Sequence, residues 1–201
     1  MKPPLLPIPD LPFKAYLFDC DGTIADSMPI HFVAWTTVLA EYGCRVDEET
    51  FYAWGGMPIR EIIRTLNERY GLSMPVAEVA RRKEELYLRA LAKLKAVPEV
   101  LEHIEGSFGR IPFAVVSGST RDSVMASLTQ LGLLDRFDTL VCAGDYTRGK
   151  PDPEPFLIAA ERLKVSPKDC LVFEDTDIGI ESATRAGMAS VKVPAHRVAD
   201  R

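Results

Sequence analysis

Two carboxylates two residues apart, Asp19 and Asp21 in Phe18-Asp19-Cys20-Asp21-Gly22-Thr23, form the densest piece of chemistry in the chain. In extended backbone, residues i and i+2 point to the same side, so both can face one pocket. Like charges this close are unfavourable unless a cation or a shared proton relieves them. The stretch therefore implies a hard metal ion, catalytic chemistry, or both. Gly22 lets the chain turn sharply, and Thr23 offers a hydroxyl beside exposed backbone N–H groups. A calcium-binding EF-hand loop needs glycine in sixth place and glutamate in twelfth. Here Gly22 stands fourth and Ile30 twelfth. An ordinary polar turn after a strand is the plain alternative, and the rest of the chain weighs against it.

Three further polar clusters follow apolar runs that read as buried strands. Ser117-Gly118-Ser119-Thr120 follows Pro112–Val116, Lys150 follows Thr139–Cys142 by a loop, and Glu174-Asp175 ends Cys170–Phe173. Taken singly, these are a strand–helix turn with an N-cap, a solvated lysine and a helix start. Together they are polar groups at the carboxyl ends of several strands, where open α/β sheets bind ligands. Asp19 and Asp175 suit Mg²⁺, which prefers few protein carboxylates plus substrate oxygens. Ser117, with the N–H groups of Gly118, Ser119 and the helix start, suits an anion. Lys150 supplies a point charge for a phosphate and for a nucleophilic carboxylate, on a loop stiffened by Pro151, Pro153 and Pro155.

The elements that must position these groups follow from periodicity and breakers. Lys14–Phe18 is a first strand. Helical periods then run from Ser27 to Gly43, Ile59 to Tyr70 and Pro75 to Leu94, the last with a stripe of Val79, Leu86, Leu91 and Leu94; a short helix at Asp47–Tyr52 lies between. No strand is expected between Ala25 and Ala96. From Glu99 onward helices alternate with strands, ending in a strand at Ser190–Val193. The expected fold is α/β, a doubly wound, mainly parallel sheet of Rossmann-like kind, with a small all-helical cap inserted after the first strand. Residues 13–26 and 96–201 form the catalytic core, 27–95 the cap, and 1–12 a proline-rich extended arm.

Composition bounds the rest. The chain has 201 residues, 47% of them apolar and 26% charged, as in ordinary globular proteins. A formal charge of −5 argues against a nucleic-acid or anionic-membrane partner. No run approaches transmembrane length, and the prolines of the arm break any signal-peptide apolar region. The cysteines (Cys20, Cys44, Cys142, Cys170) lack C-x-x-C spacing, consistent with a reducing cytoplasm. A monomer is expected.

Asp19-Cys20-Asp21-Gly22-Thr23, Ser117-Gly118-Ser119, Lys150-Pro151-Asp152-Pro153 and Phe173-Glu174-Asp175 together resemble the four motifs of the haloacid dehalogenase superfamily of phosphotransferases. The resemblance spans residues 14 to 194 and extends to the helical insertion. It implies that Asp19 is a nucleophile forming an aspartyl-phosphate, and that Asp21 is the general acid/base. It implies Mg²⁺ held by Asp19, the Asp21 carbonyl and Asp175 with Glu174 close by, and a phosphoryl group held by Ser117 and Lys150. Dehalogenases themselves lack the second aspartate, so Asp21 points to phosphate chemistry.

Within the superfamily, Asp26 to Trp35 and Phe173 to Met188 resemble the β-phosphoglucomutase-like branch. That branch implies substrate-side roles in the cap for His31, Gly56 and Lys83. Read from the residues alone, His31 is a helix-face histidine at the cap–core seam and Lys83 a solvated surface lysine. The mutases carry an arginine after the cap glycine turn to grip a second phosphate. Gly56-Met57-Pro58-Ile59 has none, and Arg60 is one place late. The expected function is thus a Mg²⁺-dependent phosphatase of small sugar phosphates, closest to bacterial fructose-1-phosphate phosphatases. The alternatives are a hexose-phosphate mutase and, more remotely, a receiver-like signalling module phosphorylated on Asp19.

Overall fold

A computed structural model describes residues 6–55 and 57–195. Five strands form one sheet: β1 (Ala15–Phe18), β2 (Phe113–Thr120), β3 (Thr139–Ala143), β4 (Cys170–Glu174) and β5 (Ala189–Lys192). Their order is β3-β2-β1-β4-β5 and every pairing is parallel. The chain winds outward from β1 through β2 to β3, then crosses to β4 and β5 on the other side. The crevice between β1 and β4 is thus a topological switch point, and Asp19 and Glu174 sit at its carboxyl end.

Both faces of the sheet are covered, which explains the uninterrupted apolar character of its inner strands. On one face, Phe18, Phe113 and Phe173 pack with α5 (Pro98–Ser107) and α6 (Arg121–Gln130). Phe18 and Phe173 stack with ring centroids 4.8 Å apart. On the other, Leu17, Val116 and Val172 pack with α7 (Glu154–Leu163) and α8 (Asp177–Arg185).

Between β1 and α5 the described residues form four α-helices and no strand: α1 (Met28–Ala40), α2 (Glu48–Ala53), α3 (Ile59–Tyr70) and α4 (Val76–Arg89). They enclose an apolar cluster of their own, built on Trp35, Leu39, Phe51, Ile63, Leu66 and Val79. The segments that lead into and out of this block pair with each other. Asp26 N–H donates to Lys95 O (2.9 Å) and Val97 N–H to Ile24 O (2.9 Å).

Three details differ from the sequence reading. First, β2 runs through Ser117–Thr120 as strand, where a turn was expected; its register on β3 shifts between Val116 and Thr120. Second, α4 ends at Arg89 rather than Leu94, and it buries Lys83 and Tyr87 besides the expected Val79. Leu86 packs against the helical block's own cluster, whereas Leu91 and Leu94, at the short 3-10 turn beyond α4, join the sheet's. Third, the described part of the proline-rich arm is anchored at Leu6 and Ile8, with Pro7 and residues 9–12 exposed. Leu6 is buried against the sheet's cluster, and its carbonyl lies 2.9 Å from His103 Nε2.

Candidate active site

Asp19 and Asp21 follow β1 directly, and the turn beyond them is closed tightly. Ile24 and Ala25 N–H both donate to Cys20 O, and Gly22 N–H to Ala25 O. Gly22 has φ +89°, which favours glycine, and a Cβ there would run into the carboxylate of Asp175. Gly179, in the first turn of α8, leaves space in the same way for Glu174. Two glycines thus let the acids of β4 approach the end of β1.

Lys150 crosses from the β3–α7 loop into this acidic corner and uses all three of its donors. Its Nζ lies 2.6 Å from Asp19 Oδ1, 2.7 Å from Glu174 Oε2 and 2.9 Å from Val116 O. Burial alone would lower its pKa, but the ion pairs with Asp19 and Glu174 outweigh that and hold the ammonium above its ordinary range. Oxygen atoms of Asp19, Glu174 and Asp175 all lie within 4.8 Å of one another. One ammonium cannot neutralise three carboxylates. Burial and the nearby Glu174 charge therefore push Asp19 well above the usual carboxylate range, and push Asp175 up to about 7. Thr23 Oγ1 donates to Asp175 (3.1 Å). Clustered hard oxygen donors with a surplus of negative charge fit a divalent cation such as Mg²⁺.

Asp21 meets the opposite environment. It accepts from Ser27 Oγ (2.7 Å) and Ser119 Oγ (2.7 Å), and His31 Nε2 lies 3.0 Å away. Burial raises its pKa, but His31 and the two hydroxyls prevail and hold it well below the carboxylate range. Behind His31, Lys83 Nζ stands 3.0 Å from Nδ1. An ammonium can only donate, so Nδ1 accepts and the neutral ring offers Nε2–H to Asp21. Burial and the Lys83 charge lower the His31 pKa, which keeps the ring in this form.

The chain of contacts continues across the seam. Lys83 pairs with Glu84 (2.8 Å), whose second oxygen accepts from Ser123 Oγ on α6. Tyr87 stacks on His31 with centroids 4.0 Å apart, and its hydroxyl meets Ser127 Oγ at 2.7 Å. Lys83, Tyr87, Ser123 and Ser127 form two i,i+4 pairs, one on each of the facing helices.

The structure therefore brings Asp19, Asp21, Ser117, Gly118, Ser119, Lys150, Glu174, His31 and Lys83 around one cavity of about 110 Å³, with Asp175 beside it. Lys83 is buried rather than solvated. Ser119 turns its hydroxyl to Asp21 and its N–H to Ser117 Oγ (3.0 Å) rather than into an open anion cradle. Gly56 lies outside the described residues. Sequence reasoning missed Ser27, Glu84, Ser123 and Tyr87. Ser27 was findable: it stands four residues before His31, on the same side of the α1 start.

Residues 16–193 match the family of haloacid dehalogenase-like hydrolases. The chain belongs to this family. The fructose-1-phosphate phosphatase YqaB of Escherichia coli (strain K12) is 36% identical over 181 residues, 90% of this chain and 96% of that protein. Among solved structures, β-phosphoglucomutase from Clostridium difficile superposes with a TM-score of 0.80 at 27% identity, covering 90% of this chain and 84% of that one. CbbY from Rhodobacter sphaeroides reaches 0.84 at 23% identity over 92% and 87%, a likeness of fold. The chain is a haloacid dehalogenase-type enzyme of the phosphoric monoester hydrolase class, akin to sugar phosphatases and mutases. Among the described residues no helix is long and apolar enough to cross a membrane.

Proposed function

We propose that this enzyme is a Mg²⁺-dependent phosphatase of small sugar phosphates that works through an aspartyl-phosphate on Asp19. The observation that carries the reading is the division of two neighbouring aspartates around one cavity. Asp19 sits among acids and an ammonium, while Asp21 sits among hydroxyls and an imidazole.

In the first step an Asp19 oxygen attacks phosphorus, the bond from phosphorus to the ester oxygen breaks, and the departing alkoxide takes a proton from Asp21. In the second step water attacks the same phosphorus, Asp21 accepts the water's proton, and the bond to Asp19 breaks to release phosphate. The ionised, triply bonded Asp21 is the form that suits the second step. Proton loading for the first step follows from bringing a dianionic phosphoryl beside it, because a like charge raises a carboxylate pKa. Lys150 and the Ser117 hydroxyl, which accepts from Ser119 N–H and keeps its own proton to donate, stabilise the charge that develops on the phosphoryl oxygens. Asp19 and Asp175, with the Asp21 carbonyl and Glu174 near, would hold Mg²⁺, whose charge would offset both the phosphoryl and the surplus carboxylate.

The helical block acts as a cap that excludes water and chooses the substrate. Residues 27–95 constitute it, joined to the core through the paired segments around Ala25 and Ala96. A mutase must grip a second phosphate while the intermediate reorients. Among the described residues, the two cations lining the cavity are Lys83 and Lys150, and both are engaged by neighbours. That favours hydrolysis. The four free, buried cysteines accord with a cytoplasmic setting.

The test is a product assay with Mg²⁺ on fructose 1-phosphate and β-glucose 1-phosphate. Free phosphate is expected as the main product. Glucose 6-phosphate formed from β-glucose 1-phosphate with little free phosphate would replace this reading with the mutase.

A further inference from the structure

The cavity has a floor and a roof of different kinds. The floor is charged and polar, built from the ends of β1, β2 and β4. The roof is Met28, Trp35, Trp54, Met57, Ile59 and Ile62. Trp54 is held edge-on against the buried Trp35, with centroids 5.7 Å apart. Phe51 supports Trp54 from below at 6.5 Å. A rigid aromatic and aliphatic surface therefore faces whatever group the phosphate is attached to.

Charge on this side is already spoken for. Lys150 has spent its three donors on Asp19, Glu174 and Val116 O, and Lys83 is held between His31 and Glu84. Arg60, adjacent to Ile59 in the chain, is exposed and does not line the cavity. A carboxylate or second phosphate on the leaving group would be desolvated against this roof with no countercharge among its described residues. A hydroxyl turned upward would lose water and gain no side-chain partner among the described roof residues. A ring or chain with a C–H-rich face would gain contact with the indole and the aliphatic side chains.

We infer that the roof selects the leaving group by polarity: the enzyme takes monophosphate esters of uncharged alcohols that present an apolar face, and turns away those bearing a carboxylate or second phosphate. Trp54 and Ile59 are the specificity-determining residues. This rests on the phosphatase reading and narrows its substrate class.

Matched substrates test it. Phosphate release with Mg²⁺ is compared for glucitol 6-phosphate against 6-phosphogluconate, which differ in one carboxylate, and for 2-deoxyglucose 6-phosphate against glucose 6-phosphate, which differ in one hydroxyl. Acetyl phosphate, whose leaving group hardly reaches the roof, reports the core chemistry. The expected kcat/KM is at least about tenfold higher for glucitol 6-phosphate than for 6-phosphogluconate, and at least about threefold higher for the deoxy sugar than for glucose 6-phosphate. Equal rates within either pair, with acetyl phosphate still hydrolysed, overturn the roof's role and leave the phosphatase standing. No release from any compound, acetyl phosphate included, overturns both. Ile59→Arg supplies a cation to the roof and is expected to narrow the glucitol-to-gluconate ratio about tenfold. An unchanged ratio in a folded variant argues against the proposal, and the wild-type pairs decide it alone if that variant does not fold.

Discussion

The two sides of the site, one around Asp19 and one around Asp21, are built from the same few residue types and differ in their charge balance. Around Asp19, three carboxylates share one ammonium, and burial plus mutual repulsion drives Asp19 and Asp175 upward. Around Asp21, one carboxylate receives two hydroxyls and an imidazole N–H that Lys83 orients from behind, and it is driven downward. The first side is short of positive charge, as suits a place awaiting a cation and a dianionic phosphoryl. The second is satisfied before any ligand arrives, as suits a group that must move one proton in a fixed direction. Two residues of separation are enough because β1 ends between the sheet and the cap. Asp19 faces the sheet's own acids; Asp21 faces the seam.

The sharpest way to break this comparison is to remove the nucleophile and keep its shape. Asp19→Asn is expected to lower phosphate release about a thousandfold or more, because an amide oxygen does not attack phosphorus at a useful rate. It also removes one of three crowded acids, so the metal-free variant should melt no lower than wild type at neutral pH. Near-wild-type turnover in rigorously purified variant would show that Asp19 is not the attacking group.

A thermodynamic test sharpens the charge imbalance itself. Asp175 titrates near 7 in the folded protein against an ordinary value of 3.8. Between those values the folded state holds a proton that the unfolded state has lost, so raising the pH through that window removes stability. Asp175→Asn cannot titrate. Without metal, the variant should therefore match wild type near pH 4 and exceed it above pH 7, by on the order of 4 kcal/mol. Taking the difference between the two proteins cancels His31, whose lowered pKa acts in the opposite direction in both. Mg²⁺ should narrow that gap, since a ligand at about a hundred times its Kd stabilises the wild type by roughly 2.7 kcal/mol. Denaturant melts at several pH values read both effects. A wild type that stays the more stable without metal at pH 8 would mean that the corner is not short of positive charge.

The asymmetry of the site also explains what was legible from the amino-acid sequence. The Asp19 side announces itself because its groups sit at strand ends, and apolar runs such as Cys170–Phe173 locate those ends without knowledge of packing. Glycine and proline then mark where each run stops, so the sheet and the cap are read with it. The Asp21 side is assembled from helix faces that meet across the seam. Lys83 looks like any lysine in the charged stretch Arg81-Arg82-Lys83-Glu84, and Ser123 and Ser127 look like ordinary polar positions of α6. Nothing in one helix states that another will bury it. The burial of Lys83 and Tyr87 beside the expected Val79 is hidden for the same reason: a histidine on α1 and a serine on α6 are waiting for them. The strand character of Ser117–Thr120 likewise comes from β3 beside it rather than from its own composition.

The smallest expected effect asks whether the seam's outer contacts belong to the chemistry or hold the cap in place. Ser127 Oγ donates to Ser123 O (2.8 Å), so its contact with Tyr87 is one in which the phenol donates. Tyr87→Phe removes that donor and leaves the ring stacked on His31, while Ser127 keeps its own donation satisfied. The cost should be about 1 kcal/mol, a fall in Tm of roughly 2–4 °C for a chain of this size. Because Lys83 and Glu84 still hold His31 toward Asp21, kcat should stay within about twofold of wild type. Loss of kcat by tenfold or more at unchanged KM, with the Tm fall no larger than expected, would move the boundary. The hydroxyl of Tyr87 would then belong with His31 and Lys83 in setting the proton on Asp21, and the satisfied side of the site would extend across the seam into α6.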